Sequence, residues 1–354
     1  MNLRKRLVLA VMAIAVVSTV LVAPTAASGL GTWSSPTFVY AASSIQSPGY
    51  SYAASAIDGT TERYYTCHSR ASGDIRDHAF LTKRTGGIVT SSASALGPSS
   101  AGWDSYHLCD PSVIRVNASY SGQSYSYAMF YLGNDQACSC HNQVGVAYSN
   151  SLDGPWVRYP SPIVAFRTGE PTSDWGAGQP SATTIDPTSG TAVLTWTEGY
   201  GGPNVGKMAM VDLDGGAPVL SGIHDITTAG LVDANGNPDD LNNFDIVYSP
   251  QRDRFYMVRE RHPYPTSSPN YISTAVQILS LPGSDMWNST GTWTVEGSID
   301  GSLSGAARTH NPGFLRTQYG TLPNESEITV VYTTSTLDPD SLWSYALSRV
   351  TAPL

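Results

Sequence analysis

Charged residues are scarce in this sequence. Only 13% of its 354 residues are charged, and 19 Lys and Arg stand against 28 Asp and Glu. Coiled coils and helical bundles need far more charge, so the composition argues against both classes. A hydrophobic fraction of 41% argues against disorder. The net charge of −9, without a basic stripe, disfavours a nucleic-acid partner, because phosphate binding needs clustered Lys and Arg.

Long hydrophobic runs are also rare, and the one that is present lies at the start of the chain. Arg4, Lys5 and Arg6 precede an apolar stretch over residues 7–22, and small residues follow around Ala27. This order is typical of a secretory signal peptide, here residues 1–27. A membrane anchor is the alternative, although the run is short for a bilayer span. We therefore expect one extracellular domain over residues 28–354, a monomer without membrane contact after cleavage.

The sequence contains four cysteines, Cys67, Cys109, Cys138 and Cys140. An even number in an exported chain predicts two disulfides. Cys138 and Cys140 are too close in sequence to pair comfortably with each other, so we expect each to pair with Cys67 or Cys109. A metal site that uses Cys138, Cys140 and His141, with Cys109, is the alternative. The spacing usual for zinc ligands is missing, so the predicted site contains no metal.

A weak repeat recurs roughly every 60 to 70 residues, a period that suggests propeller blades. Each unit has a short first strand, a turn and an aromatic-rich second strand, and the units begin at Ser51, Asp110, Gln179, Asn243 and Asn311. These runs are β-branched or aromatic and are bounded by Gly, Pro, Asn and Ser. They predict an all-β, five-bladed β-propeller with four-stranded antiparallel blades. Residues 32–40 would close the last blade; a β-sandwich is the alternative.

In a propeller, the first strands of all blades line the central channel. Residues that begin these strands, and residues where the second strands end, should therefore meet at one mouth. The carboxylates predicted to act in catalysis are Asp110, Asp245, Glu198 and Glu260. The residues predicted to bind substrate are His107, Gln179, Asn311, His310, Trp103, Trp175 and Asp77.

This set of residues suits a sugar. Amides and carboxylates bind hydroxyls, and Trp faces cover the apolar side of a sugar ring. Two carboxylates across a cleft are the equipment for glycoside hydrolysis. Each residue also has a purely structural interpretation: Asp110 before Pro111 caps a turn, for example, or Asp77 pairs with a nearby Arg.

Several motifs from the second unit onward resemble a known group. They are Asp110-Pro111-Ser112-Val113-Ile114, Tyr127-Ala128-Met129-Phe130-Tyr131, Val144-Gly145-Val146-Ala147-Tyr148-Ser149 and Gly154-Pro155-Trp156. This series resembles the five-bladed furanosidase superfamily, which includes glycoside hydrolase families 43, 32, 68 and 117. The resemblance implies a secreted glycoside hydrolase that acts on a furanose- or pentose-containing polysaccharide such as arabinan, xylan or fructan.

The resemblance does not carry over an intact catalytic triad. Family 43 places acidic residues in blades one, three and four, where this chain has Ser51, Gln179 and the stretch from Asn243 to Asp245. Some members hold calcium on the axis beside a histidine of the last blade, which His310 matches weakly; no cofactor is otherwise expected. A carbohydrate-binding propeller without catalysis is the leading alternative. An interaction propeller, or a lyase or transferase, also remains open.

Overall fold

Almost all regular structure in the computed structural model is β-strand. The structure describes residues 29–45, 49–70 and 76–354, so the predicted signal peptide lies outside the described residues. The helices of the described chain are single turns, α1 (Ala42–Ile45), α2 (Gly283–Asn288) and α3 (Gly301–Ser304), with one 3₁₀ turn at Leu342–Ser344. No helix among these residues is long and apolar enough to cross a membrane.

The strands form five consecutive four-stranded antiparallel units, which we number one to five. Unit one comprises β2 (Gly49–Ile57), β3 (Thr61–Arg70), β4 (His78–Thr85) and β5 (Ile88–Leu96). Unit two comprises β6 (His107–Tyr120), β7 (Gln123–Asn134), β8 (Gln143–Ser149) and β9 (Val157–Arg158). Unit three comprises β10 (Gly176–Thr184), β11 (Thr191–Gly199), β12 (Val205–Asp212) and β13 (Val219–Asp225).

The remaining units have the same order of strands. Unit four comprises β14 (Phe244–Ser249), β15 (Arg254–Glu260), β16 (Ala275–Pro282) and β17 (Thr294–Asp300). Unit five comprises β18 (Arg308–Arg316), β19 (Glu327–Ser335), β20 (Ala346–Pro353) and, as its outer strand, β1 (Thr37–Ala41). The prediction that an N-terminal strand completes the last unit is confirmed, because β1 pairs antiparallel with β20. Units five and one share one sheet through a short parallel pairing of β18 with β2.

Five buried apolar clusters connect the units in cyclic order. One cluster packs Phe130 of unit two against Trp196 of unit three, and the next two join units three to four and four to five. Another packs Tyr65 of unit one against Met129 of unit two, and the last joins Leu347 of unit five to Tyr64 of unit one. Burial of these faces stabilises the assembly by the hydrophobic effect. The arrangement is all-β and propeller-like, as the sequence predicts.

The axis of this assembly holds a buried arginine. Arg316, at the end of β18, is 0% exposed. Its guanidinium donates to Ser55 Oγ at 2.9 Å, Ser112 Oγ at 3.2 Å, Ser181 Oγ at 3.3 Å and the carbonyl of Ile246 at 3.1 Å. Arg316 belongs to unit five, and these partners belong to units one, two, three and four. One side chain therefore bonds the inner strands of all the other units.

Candidate active site

The repeated motif places a left-handed residue at the start of four inner strands. Asp110, Gln179, Asn243 and Asn311 have φ angles of 47°, 53°, 43° and 40°. Three of them lie in β-bulges of β6, β10 and β18, and Asn243 directly precedes β14. Asp and Asn tolerate this conformation better than most residues. In unit one the equivalent bulge contains Ala53, so the motif there has no polar side chain.

These four residues line one cleft of about 620 Å³. The predicted residues Asp77, His107 and Trp175 line it as well. The cleft also contains residues for which the sequence offered no motif: an amide-rich side with Asn134, Asn142, Asn204 and Asn242, and an aromatic and apolar side with Tyr50, Tyr52, Tyr264, Tyr271, Tyr345, Ile272 and Leu342. Amides that can bind hydroxyls therefore occur in the same cleft as aromatic rings that can cover a sugar.

Asp110 is the carboxylate whose protonation is most perturbed in this cleft. Burial raises the pKa of Asp110 to about 7, and the negative charges of Asp77 and Glu260 act in the same direction. The backbone N–H of Gln179 bonds the carboxylate and opposes the rise. An acid with a pKa near neutrality can donate a proton at physiological pH, which is what glycoside hydrolysis needs from its acid.

Asp77 lies beside Asp110 and has stronger hydrogen-bond support. The hydroxyl of Tyr50 donates a short hydrogen bond to Asp77 Oδ1. The ring of Tyr50 stacks on Tyr52 at a centroid distance of 5.6 Å, which fixes the donor. His107 Nδ1 accepts the backbone N–H of Asp77 at 3.2 Å and so holds the main chain of this residue. The two neighbouring carboxylates therefore differ, because a side-chain hydroxyl donates to Asp77 whereas a single backbone N–H supports Asp110.

Glu260 lies behind the cleft wall and is fully buried. Its Oε2 accepts from the Tyr264 hydroxyl at 2.7 Å, and its Oε1 accepts from the backbone N–H of Asn311 at 2.8 Å. Burial raises the pKa of Glu260, and these hydrogen bonds lower it. Glu260 thus contacts residues that line the cleft, Tyr264 and Asn311, and acts on Asp110 through its charge.

Asp245 and Glu198, both predicted to act in catalysis, each have strong partners within the protein. Asp245 Oδ1 lies 3.2 Å from Arg316 and accepts from Ser181 Oγ at 2.6 Å, so it compensates the axial cation. Glu198 accepts from Trp196 Nε1 at 3.0 Å and pairs with Arg167. Neither carboxylate lines the cleft of about 620 Å³, but Asp245 lines a narrower pocket together with Asp110, Gln179, Asn243 and Asn311. The catalytic roles of Asp245 and Glu198 therefore stay predictions.

Trp103 and His310 also lie outside the cleft lining. Trp103 stacks on Tyr131 at a centroid distance of 5.6 Å, over Gly133 and Gly145, where a Cβ would collide with its ring. Its indole N–H donates to a backbone carbonyl at 3.3 Å. His310 is fully buried and bonds Asn311 Oδ1 through Nδ1 at 2.6 Å. Trp103 is thus a packing residue, and His310 orients Asn311.

The residues around His310 do not fit a calcium ion. Calcium prefers six to eight oxygen ligands with several carboxylates, whereas the described contacts of His310 are the amide of Asn311 and the ring of Tyr345. Burial lowers the pKa of His310 to about 4. The axis below the mouth already holds the guanidinium of Arg316. We therefore assign no step to a metal here.

The four cysteines form two disulfides, but not in the predicted pairing. Cys67 bonds Cys109, and Cys138 bonds Cys140. The prediction was wrong because it took a separation of two residues as too short, whereas the Cα atoms of Cys138 and Cys140 lie 5.2 Å apart, within the range that a disulfide spans. Asn134 Nδ2 donates to the carbonyls of Cys138 at 3.0 Å and Cys140 at 3.1 Å. The alternative metal site loses its thiolate ligands to these bonds.

Solved structures provide the comparison with known proteins, since no family model and no curated protein matches the sequence. The α-L-arabinofuranosidase of Podospora anserina in complex with cellotriose has a TM-score of 0.60 at 10% identity, over 91% of this chain and 97% of that one. A family 117 glycoside hydrolase of the marine bacterium Zobellia galactanivorans has a TM-score of 0.59 at 11% identity, over 91% and 90%. The chain therefore shares the fold of these solved glycoside hydrolases.

A third solved structure has a similar fold. The GH43_1 enzyme of Xanthomonas citri in complex with xylotriose has a TM-score of 0.55 at 14% identity, over 90% of this chain and 91% of that one. The resemblance seen in the sequence is therefore confirmed at the level of the fold. Identities this low say nothing about which residues act, so the chemistry must be argued from the cleft itself.

Proposed function

We propose that this protein is an exported glycoside hydrolase that acts on a furanose- or pentose-containing polysaccharide from the mouth of a five-bladed propeller. The observation that carries the proposal is the carboxyl group of Asp110, whose pKa is raised to about 7 in a cleft that it shares with Asp77. Two carboxyl groups in one cleft can supply the acid and the base or nucleophile of glycoside hydrolysis.

In this mechanism Asp110 is the general acid. Its proton passes to the glycosidic oxygen as the bond to the anomeric carbon breaks, which gives the leaving sugar a neutral hydroxyl. Asp77 supplies the opposing negative charge, which stabilises the positive charge that develops on the anomeric carbon and accepts the proton of the attacking water. Tyr50 holds the Asp77 carboxylate, and His107 holds the backbone N–H of Asp77. Glu260 holds Tyr264 and raises the proton affinity of Asp110.

The walls of the cleft support a saccharide as the ligand. Tyr271, Tyr345 and Trp175 offer ring faces or edges to the apolar side of a sugar, and Asn204 and Asn242 offer amides to its hydroxyls. The Xanthomonas citri structure with xylotriose and the Podospora anserina arabinofuranosidase support a pentose-containing chain as the substrate. The signal-like N-terminus and two disulfides support export to an oxidising compartment.

The test is a panel of arabinans, xylans, fructans and galactans incubated with the protein from residue 28 onward. Released reducing ends are measured beside an Asp110→Asn variant, which keeps the size of the side chain and removes the acid. We expect release from one polymer class by the wild type and none by the variant. Equal release by both proteins would remove Asp110 from the chemistry.

Retention on a polymer without release would support the carbohydrate-binding alternative instead. In that case Asp110→Asn would bind as tightly as the wild type, because binding does not need a proton donor. Neither release nor retention on any polymer would overturn the proposed function and leave only the fold.

A further inference from the structure

The Cys67–Cys109 disulfide joins two different units of the propeller. Cys67 lies on β3 of unit one, and Cys109 lies on β6 of unit two, with their Cα atoms 4.6 Å apart. Both side chains are buried, at 0% and 4% exposure. The second disulfide, between Cys138 and Cys140, stays within unit two. Only the first bond therefore fixes one unit relative to its neighbour.

This bond also lies between the two carboxylates of the cleft. Cys109 directly precedes Asp110, and one carboxylate oxygen of Asp77 lies within 4.8 Å of both sulfur atoms. Asp77 reaches the same segment of β6 through its backbone: its carbonyl accepts from the N–H of Leu108 at 3.1 Å, and its own N–H donates to His107 Nδ1 at 3.2 Å. Asp77 and Asp110 thus lie on either side of the boundary between units one and two, here called the seam, which the disulfide crosses.

We propose that the Cys67–Cys109 disulfide is a positioning element of the active site that fixes the separation of Asp77 and Asp110. The inference rests on the proposed function for its effect on turnover, but not for its effect on the two carboxyl groups. Glycoside hydrolysis depends on the distance between its two carboxyl groups to within a few ångströms. A covalent bond beside both groups holds that distance better than hydrogen bonds across the seam.

The pKa of Asp110 provides the readout. If the disulfide had a purely structural role, its removal would leave this pKa unchanged. The groups that face the pair are Tyr50 and Tyr52 from β2, His107 from β6, and Glu260 from β15. The charge of Asp77 is the largest electrostatic contribution after burial to the raised pKa of Asp110. If the seam loosens, Asp77 moves away and the pKa of Asp110 falls towards its ordinary value near 4.

The experiment compares two double variants of the full chain, Cys67→Ala with Cys109→Ala, and Cys138→Ala with Cys140→Ala. Both remove one disulfide, and Cys138 also lines the cleft, so the second pair is a matched control. Titration of Asp110 is followed by carbon NMR of the carboxyl groups, with Asp110→Asn in each background to assign the resonance. Turnover on the best polymer of the panel is measured in parallel, below the melting temperature of each variant.

We expect the Cys67 and Cys109 variant to titrate Asp110 at least half a pH unit lower than the wild type. Its kcat should fall about tenfold or more while KM changes less than twofold. The alkaline limb of its pH–rate profile should shift to lower pH. The Cys138 and Cys140 variant should leave the titration of Asp110 in place. A lower melting temperature with unchanged titration and unchanged kcat would overturn the inference.

The NMR arm separates this inference from the proposed function. If no polymer is hydrolysed but the titration of Asp110 shifts as expected, the proposed function fails and the positioning of the carboxyl pair stands. If a polymer is hydrolysed and neither titration nor kcat depends on the bond between units one and two, the inference fails and the hydrolase stands. An equal shift in both double variants would also overturn it, because the position of the bond would then not matter.

Discussion

Two layers of side chains on the propeller axis use the same repeat in opposite ways. The outer layer consists of Asp110, Gln179, Asn243 and Asn311, the left-handed residues at the starts of the inner strands, and it opens into the cleft. In the inner layer, Ser112, Ser181 and Asp245 lie two residues after Asp110, Gln179 and Asn243, and Ser55 of unit one joins them. All four are hydrogen-bonded or ion-paired to Arg316.

The difference between the layers lies in charge compensation. Asp245 in the inner layer has a guanidinium partner at 3.2 Å and two hydrogen-bond donors, Ser181 and the backbone N–H of Phe314. Asp110 in the outer layer has one backbone donor and two like charges nearby. A buried carboxylate that is paired with a cation stabilises the fold, whereas a buried carboxylate without such a partner has a raised pKa. The same strand positions thus build a structural centre and a reactive surface two residues apart.

The largest expected effect comes from removal of the axial cation. Arg316→Met leaves Asp245 as a buried charge without its partner, so the free energy of unfolding should fall by about 3–5 kcal/mol. Urea denaturation followed by tryptophan fluorescence measures the loss. Adding Asp245→Asn to the variant should recover part of it, because the orphaned charge is then gone. A variant as stable as the wild type would show that the inner layer does not hold the units together.

Asp110→Asn removes the acid of the outer layer instead. We expect kcat to fall by about 10²–10⁴-fold, the usual range for loss of an acid catalyst. The fold should survive, since Arg316 and its partners are untouched. Circular dichroism establishes the fold, and initial rates on the active polymer establish the loss. A fall of less than tenfold would assign the proton to another group.

The pH dependence sharpens the comparison further. Asp110 must be protonated to donate, so activity should decline as pH rises through about 7. The free energy of unfolding depends on pH in the same direction. Because the pKa of Asp110 is higher in the folded state than in the unfolded state, its contribution to stability is complete below about pH 4 and is lost as pH rises through about 7. Asp110→Asn should therefore melt close to wild type at pH 4 and be more stable by about 1–2 kcal/mol at pH 8, a discounted figure because Asp110 is half-buried.

Thermal melts of the two proteins at pH 4 and pH 8 check this prediction. A gain in stability that is the same at both pH values would mean that Asp110 is not titrating in this interval.

The smallest effect is expected for Glu198→Gln. Glu198 pairs with Arg167 and receives the indole N–H of Trp196 away from the cleft lining. Activity should stay within twofold of the wild type at every pH, and stability should fall by about 1 kcal/mol or less. Initial rates across the pH range test it; a strong loss of kcat would return Glu198 to the catalytic group.

The sequence predicted the parts of the molecule that repeat. Alternating apolar strands and the recurring motif located Asp110, Gln179 and Asn311 at one mouth, because strand period and turn residues are local signals. Two outer strands lacked such a signal. β5 (Ile88–Leu96) and β13 (Val219–Asp225) are exposed for most of their length, so their alternation of buried and exposed residues is weak.

The features that the sequence could not predict depend on contacts between units. Arg316 belongs to no motif, and its importance arises only when four other strands surround it. Tyr50 and Tyr264 acquire their roles from the carboxylates that they face, Asp77 and Glu260.

The pairing of β1 with β20 sets the order in which this protein can mature. β1 precedes the other described strands and β20 follows them, so β1 finds its partner only when all five units have been synthesised. Until then β19 presents an unpaired edge, and such edges invite association with other chains. The ring thus closes only after β20 has been synthesised, and a chain shortened before β20 would remain an open, aggregation-prone intermediate, however well its first four units had formed.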